Sequence, residues 1–231
     1  MFAYGNWHRY FCSPVKIVTI GYNPVPKDKN LGGCVSCSVY LKNACTKGEF
    51  TEKAVKHFVD KQSQYFENQN AQPYFDNIQK LLASSRTWYQ DSESSKFKDH
   101  IAIHLDLIPF STTKSFGELP KHVSEELLKK CIPLLQQKLE SLKPHAIVTF
   151  VSETALQALF GTVHWTIEES VQKKRLHTLR VGNIQLDTFN TVVYACPPPQ
   201  KKPLAQLTSI EILQWSLSMQ NFVQEQYKSF Q

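Results

Sequence analysis

Polar residues that could carry out hydrolytic or acid–base chemistry follow short apolar runs of the sequence. Asn23 lies in the segment Gly21-Tyr-Asn-Pro, and its side-chain amide could hold a water molecule in place for attack on a substrate. An asparagine before proline is also a common turn residue with a local side-chain hydrogen bond. His104 and Asp106 are two positions apart in an alternating run, which places both on one face of a strand. These residues predict a polar site at the ends of strands.

Four short runs rich in apolar and β-branched residues predict the strands that position this site. They cover residues 15–20, 101–108, 145–151 and 191–195. Helical patterns separate them, and strands that alternate with helices form a parallel sheet covered on both faces. We therefore expect an α/β protein, a three-layer α/β/α sandwich with a central, mostly parallel four-stranded sheet, in a single domain over residues 1–231. Ligands of such sheets bind beyond the carboxyl ends of the strands.

The helical patterns cover residues 51–66, 73–84, 123–142 and 203–230. A further short helix is predicted to begin at Ser152 as its N-cap and to stop at Gly161. Residues 162–189 interrupt the alternation of strands and helices. Within them, Gly182-Asn183 predicts the turn of a small hairpin between residues 179–181 and 184–186.

Composition and charge limit the class of protein. The chain has 231 residues, of which 42% are hydrophobic, a net charge of +6 and only 8 glycines. This apolar content supports one substantial core, and neither GxGxxG nor GxxxxGKS, two glycine-rich nucleotide-binding patterns, occurs. No apolar segment has the length of a membrane span or the pattern of a signal peptide. We expect a soluble monomer of the cytoplasm, or of the nucleus in a eukaryote, that does not bind a membrane.

Three segments of the chain resemble the uracil-DNA glycosylase superfamily. Gly21-Tyr-Asn-Pro24 fits the Asn variant of the G-x-[DN]-P loop that ends the family's first strand. Asp106-Leu-Ile-Pro-Phe110 stands where many members have Asn-Leu-Val-Pro, and residues 143–161 resemble the third-strand pattern. The resemblance implies a DNA base-excision hydrolase that cleaves the N-glycosidic bond of a damaged or deaminated base after flipping it out of the helix. It implies no metal ion and no cofactor.

The resemblance gives Asn23 the catalytic role of orienting the attacking water, but two positions depart from the family pattern. Cys196 stands where the H-P-S-P motif has a histidine that donates to the base, and a thiol is a poor donor. Asp106 replaces an asparagine, and a carboxylate only accepts, which suits an amino group of cytosine or of a modified base. Asp106 could instead cap a helix or pair with a basic side chain, and His104 could replace the missing donor or simply be packed.

The resemblance also implies contacts with the base and with single- or double-stranded DNA. The family's base-stacking phenylalanine has no counterpart, so Tyr22 or Tyr40 is expected to take its place. The DNA is expected to contact the segment after the last strand and a second basic run, through Pro197, Pro198, Lys201, Lys202, Leu204, Lys173, Lys174 and Arg175. A run of charge is also commonly just a solvated face.

Two other classes of function remain open at this point. Because two family positions are changed, the chain could be a glycosylase-fold protein without catalysis that serves as a DNA-binding or protein-interaction module. Cys34-Val-Ser-Cys37 with Cys45 could instead form half of a metal site, completed by Cys12 or His8. We expect no metal, because a second half-site is missing.

Overall fold

The elements of the structure follow the apolar runs and amphipathic patterns of the sequence. The computed structural model describes residues 3–22, 52–66, 73–83, 85–89, 100–109, 116–172, 176–196 and 213–230. Its strands are β1 (Ala3–Tyr4), β2 (Ile17–Gly21), β3 (Thr87–Trp88), β4 (His100–Asp106), β5 (Ala146–Thr149), β6 (His164–Gln172), β7 (Leu176–Gln185) and β8 (Asn190–Ala195). Its helices are α1 (Trp7–Cys12), α2 (Glu52–Ser63), α3 (Pro73–Ala83), α4 (Lys121–Leu142), α5 (Glu153–Phe160) and α6 (Leu213–Phe230).

The four predicted strands form a parallel core, as expected. They are β2, β4, β5 and β8, and their order in space is β4-β2-β5-β8. β2 pairs parallel with β4 on one side and with β5 on the other, and β5 pairs parallel with β8. Every residue of β2 is buried, which explains why all of them except Thr19 are apolar. The carboxyl ends of the four strands therefore lie along one edge of the sheet.

The expectation of a four-stranded sheet is wrong, because the sheet is larger and mixed. β1 pairs antiparallel with β4, and the two-residue β3 pairs parallel with the start of β4. Beyond β8, β7 and β6 continue the sheet antiparallel. Side chains of β6 alternate between exposed and half-buried over residues 164–170, so this strand lacks the buried apolar run that identifies the parallel ones.

The predicted hairpin turn at Gly182-Asn183 is also wrong. Both residues lie within β7, which pairs with β6 on one side and β8 on the other. A Cβ on Gly182 would lie 2.6 Å from the carbonyl oxygen of His164 and 2.9 Å from the Trp165 ring. The glycine is therefore explained by the close approach of β6, and not by a turn.

Helices cover both faces of the sheet and divide the buried apolar side chains into two clusters. On one face, here called face A, α3 and α6 pack through residues such as Ile78 and Trp215. On the other, face B, α4 and α5 pack through residues such as Leu135 and Leu156. Side chains of the parallel strands alternate between the two clusters, so Ile17 faces A and Val18 faces B.

The order in which the chain adds strands to the sheet reverses between β2 and β5. From β2 the chain reaches β4 by way of α3 on face A, and from β4 it reaches β5 by way of α4 on face B. Right-handed crossovers require opposite faces for opposite directions. Open α/β sheets bind ligands beyond the carboxyl ends of the two strands at such a reversal, here β2 and β5.

The short helix α5 begins and ends as predicted. Ser152 accepts a hydrogen bond from the backbone N–H of Ala155, and Gly161 ends the helix with a φ of 69°. The predicted last helix is confirmed over Leu213–Phe230, and its expected beginning at 203–212 lies outside the described residues. No helix in the described part of the chain has both the length and the apolar composition of a membrane span.

Candidate functional site

The ends of β2 and β4 lie side by side at the edge where the parallel strands end. Gly21, the last residue of β2, is the register partner of Asp106, the last residue of β4. The pairing continues past both strands, because the N–H of Leu107 donates to the Gly21 carbonyl at 2.9 Å and that of Ile108 to the Tyr22 carbonyl at 2.7 Å. The backbone immediately before Asn23 is therefore held beside Asp106.

His104 and Asp106 share face A, as their spacing predicts, and lie close together. Nε2 of His104 is 3.5 Å from Oδ1 of Asp106, within ion-pair range but longer than a usual N–H···O hydrogen bond. The two residues are only 1% and 4% exposed. Asp106 thus has a partner that carries positive charge when protonated, which fits the pairing with a basic side chain that the sequence left open for it.

Thr19 and Tyr89 extend this pair into a buried polar chain. Thr19 Oγ1 lies 2.8 Å from Nδ1 of His104 and 2.5 Å from the Tyr89 hydroxyl. It also lies 3.3 Å from the carbonyl oxygen of Ile103. Burial raises the pKa of Tyr89 well above its usual value, although the hydrogen bond with Thr19 lowers it. The Tyr89 hydroxyl therefore stays protonated and available as a donor.

Aromatic rings surround the imidazole of His104. Ring centroids lie 5.0 Å away for Phe75, 5.9 Å for Tyr74, 6.3 Å for Tyr4 and 6.4 Å for Tyr89. All but Tyr4 meet the imidazole edge-on, and Tyr4 stacks on it at 29°. This packing fixes the orientation of the ring and keeps water away from it.

Gly21 allows this packing against the end of β2. A Cβ at this position would lie 2.4 Å from the Tyr74 hydroxyl oxygen and 3.1 Å from Nε2 of His104. Burial, and next the nearby charge of Asp106, raise the pKa of Tyr74 far above its usual value. The first residue of the Gly21-Tyr-Asn-Pro segment is therefore a glycine for a steric reason.

One oxygen of Asp106, Oδ2, is buried and forms no hydrogen bond with any of the described residues. Such atoms are uncommon in folded proteins, because burying a carboxylate oxygen without a donor costs free energy. Within the described part of the chain, the site therefore presents an unsatisfied acceptor at the carboxyl end of β4.

Tyr22 is not brought together with His104 and Asp106. Its ring packs with the face B cluster and stacks on Phe116 with centroids 4.5 Å apart. Its hydroxyl accepts a hydrogen bond from the backbone N–H of Ser152 at 2.7 Å. Tyr22 thus ties the segment after β2 to the segment after β5, across the reversal of chain direction.

Cys196 is remote from the pair on β4. It follows β8, which is separated from β4 by β2 and β5, a distance of roughly 14 Å for three strand spacings. Its side chain is 2% exposed and belongs to the face A cluster with Trp215. Burial raises the pKa of the Cys196 thiol well above its usual value, so the sulfur is a neutral, packed group.

Most of the other candidate residues lie outside the described residues. These are Asn23, Tyr40, Lys173, Lys174, Arg175, Pro197, Pro198, Lys201, Lys202 and Leu204. Near the basic run, Arg180 is described: it bonds with the carboxylates of Glu153 and Glu168 and lies over the Trp165 ring at 5.6 Å. Its charge is therefore balanced within the protein.

The candidate metal half-site Cys34, Cys37 and Cys45 also lies outside the described residues. Within the described ranges, no group of three or more histidine, cysteine, aspartate or glutamate side chains is arranged to hold a metal ion.

Sequence reasoning missed three residues of the polar site, namely Thr19, Tyr74 and Tyr89. Thr19 carried a usable signal, because it is the one polar residue in the buried run Ile17–Gly21 and shares the face of Ile17. Tyr74 and Tyr89 carried none, since nothing in their spacing connects α3 or the end of β3 with β4.

A groove of about 490 Å³ lies elsewhere, between α6 and the antiparallel part of the sheet. Its lining is mostly apolar and includes one carboxylate, that of Glu225. The apolar lining residues include Ile167, Val181, Tyr194, Leu217 and Phe222. These residues belong to β6, β7, β8 and α6, so the groove is separate from the ends of β2 and β4.

The fold defines the class as an α/β protein with a mixed, centrally parallel sheet. A comparison with models of known protein families finds no match to the chain. A comparison with curated protein sequences finds no significant match either.

Proposed function

We propose that this protein is a DNA base-excision hydrolase similar to the uracil-DNA glycosylases. It cleaves the N-glycosidic bond of a flipped base, and Asn23 orients the attacking water. The water oxygen bonds to C1′ of the sugar, the electron pair of the C1′–N bond goes to the base, and the proton that the water loses balances the proton that the base gains.

The observation that carries the proposal is the buried Asp106 beside the end of β2, whose Oδ2 has no partner among the described residues. Its register partner is Gly21, which opens the Gly21-Tyr-Asn-Pro segment. In the proposed reaction the acceptor binds the base, and the amide of Asn23, two residues beyond Gly21, orients the water. Both follow strands at the edge where open α/β sheets bind ligands.

In the proposed reaction, Cys196 does not supply the hydrogen-bond donor that a histidine gives to the base in the family pattern. The buried thiol of Cys196 supplies no donor, and losing one preorganised donor typically costs about 2.7–4 kcal/mol of transition-state stabilisation. We therefore expect turnover about 100- to 1000-fold below that of a site with the full donor set.

The proposal is tested on oligonucleotides that carry uracil, hypoxanthine, mismatched cytosine or alkylated bases, in single and double strands. Alkali cleaves the strand wherever a base has been removed. We expect cleavage with at least one base and a loss of about 100-fold or more in Asn23→Ala. Asn190→Ala is the control, since Asn190 is exposed at the amino end of β8, away from the site. Absence of cleavage at every base under excess protein would contradict the proposal.

The second candidate is a DNA-binding module of the same fold without catalysis. The buried Cys196 and the occupied Oδ1 of Asp106 favour it, because both differ from a donor-rich catalytic site. Binding of the same oligonucleotides, measured by fluorescence anisotropy, without cleavage would support this function over the first.

A further inference from the structure

The polar contacts that lead to Asp106 define one direction. A carboxylate only accepts, so His104 presents an N–H from Nε2 towards Oδ1 across a contact of 3.5 Å. In the neutral imidazole Nδ1 is then an acceptor, and it lies 2.8 Å from Oγ1 of Thr19, closer than the Ile103 carbonyl oxygen at 3.3 Å. Nδ1 therefore takes the single hydroxyl proton of Thr19, and the Tyr89 hydroxyl donates to Thr19. Every proton of the chain then points towards Asp106.

This direction determines what Asp106 offers to a ligand. Oδ1 lies 3.5 Å from Nε2 of His104, and the aromatic rings packed around the imidazole hold that ring in this orientation. Oδ2 is left without a partner among the described residues. A carboxylate held in this way presents one fixed acceptor and no donor.

We infer that Thr19 and His104 are positioning residues that fix Oδ2 of Asp106 as the acceptor for an exocyclic amino group, so that the site selects amino-bearing bases. The inference rests on the proposed function, which supplies a nucleobase as the ligand. An oxo group in the same place brings a second acceptor against the carboxylate and is repelled. The negative charge of Asp106 also opposes the charge that develops on uracil as its bond breaks, whereas an amino-bearing base that is protonated before its bond breaks develops no negative charge.

This selection is tested with two pairs of bases, in each of which one member has an amino group where the other has an oxo group. Oligonucleotides carry cytosine or uracil, and adenine or hypoxanthine, on a 2′-fluorinated sugar, whose fluorine destabilises an oxocarbenium-like transition state and keeps the base attached. Affinity for the full-length protein is measured by fluorescence anisotropy. We expect the amino member of each pair to bind at least about tenfold more tightly, as for hydrogen bonds to charged groups.

Variants separate positioning from general stability. Thr19→Val removes the hydroxyl that directs His104 and is expected to reduce the amino preference to below about threefold, whereas Thr19→Ser keeps the hydroxyl and the preference. Asp106→Asn, which can donate, is expected to reverse the preference towards uracil and hypoxanthine. Thr149→Val removes a buried hydroxyl that has no partner among the described residues and is expected to bind like the unchanged protein.

A spectroscopic measurement tests the direction of the chain without any ligand. Nitrogen NMR of the free protein is expected to show neutral His104 as the Nε2–H tautomer, and Thr19→Val is expected to weaken that preference. The Nδ1–H tautomer, an equal affinity for amino and oxo bases, or an amino preference that survives Thr19→Val would each overturn the inference. Absence of cleavage with the amino preference intact overturns the proposed function alone, and cleavage without that preference overturns only the inference.

Discussion

Two buried threonines on neighbouring strands give a matched test of the polar chain. Thr19 on β2 and Thr149 on β5 are both 0% exposed. Oγ1 of Thr19 contacts Tyr89, His104 and the Ile103 carbonyl, whereas Oγ1 of Thr149 has no partner among the described residues. Substitution by valine exchanges a hydroxyl for a methyl group of similar size in each case, so differences in packing largely cancel.

The expected changes in the free energy of unfolding have opposite signs in the two variants. Thr19→Val leaves the Tyr89 hydroxyl and Nδ1 of His104 buried without their partner, and each such group costs about 1–3 kcal/mol, so we expect a loss of about 2–6 kcal/mol. Thr149→Val removes a buried hydroxyl that has no partner among the described residues, so we expect no loss and a gain of up to about 1 kcal/mol. For a chain of this length, a difference of about 2–7 kcal/mol between the two variants corresponds to roughly 4–28 °C in Tm.

Urea unfolding followed by tryptophan fluorescence measures the difference, since the chain has 4 tryptophans. Thr19→Ser serves as the control that keeps the hydroxyl and should lose less than Thr19→Val. Equal unfolding midpoints for the two valine variants, or a larger loss in Thr149→Val, would refute the conclusion that the polar chain explains why residue 19 is a threonine.

Other contacts give outcomes that can be measured independently. Gly21→Ala places a Cβ 2.4 Å from the Tyr74 hydroxyl, so we expect a loss of about 1–3 kcal/mol in urea unfolding that Tyr74→Phe partly restores; no restoration would contradict the packing. Cys12 is exposed and Cys196 is buried with a raised pKa, so a thiol reagent followed by mass spectrometry should label Cys12 in the folded protein and Cys196 only after unfolding. Burial raises the pKa of Tyr194 to about 12, above its unfolded value near 10, so its stabilising contribution is complete below pH 10 and lost as the pH rises towards 12. Tyr194→Phe should therefore lose less stability than the unchanged protein between pH 9 and pH 11, and an equal loss would show that this tyrosine ionises normally.

The parallel core could be predicted because strands that are buried on both faces have a recognisable sequence pattern. β2, β5 and β8 are covered on both faces, so their residues form short continuous apolar runs. The N-cap at Ser152 is equally local, since it depends on a side chain and an N–H three residues apart. The pairing of His104 with Asp106 follows from the two-residue period of a strand.

The antiparallel extension could not be predicted in the same way, because its determinants lie between strands. Gly182 has the appearance of a turn residue, yet its hydrogen atom makes room for Trp165 and for the backbone of His164 on β6. The contacts of Tyr74 and Tyr89 with the polar site likewise depend on α3 and β3 packing against β4, at separations of 15 residues or more from His104.

Under the proposed function, the position of Cys196 restricts how a base can be bound and released at this edge. Its sulfur is packed in the face A cluster with Trp215, and β2 and β5 separate it from β4, so we expect no donor to the base from position 196. At the β4 end, Nε2 of His104 faces Oδ1 of Asp106, and the buried Oδ2 has no partner among the described residues. We therefore expect a base with only oxo groups to find no donor from Cys196 or His104, whereas an amino-bearing base would satisfy Oδ2 directly. In this proposal the thiol at position 196 and the aspartate at position 106 favour the same kind of base.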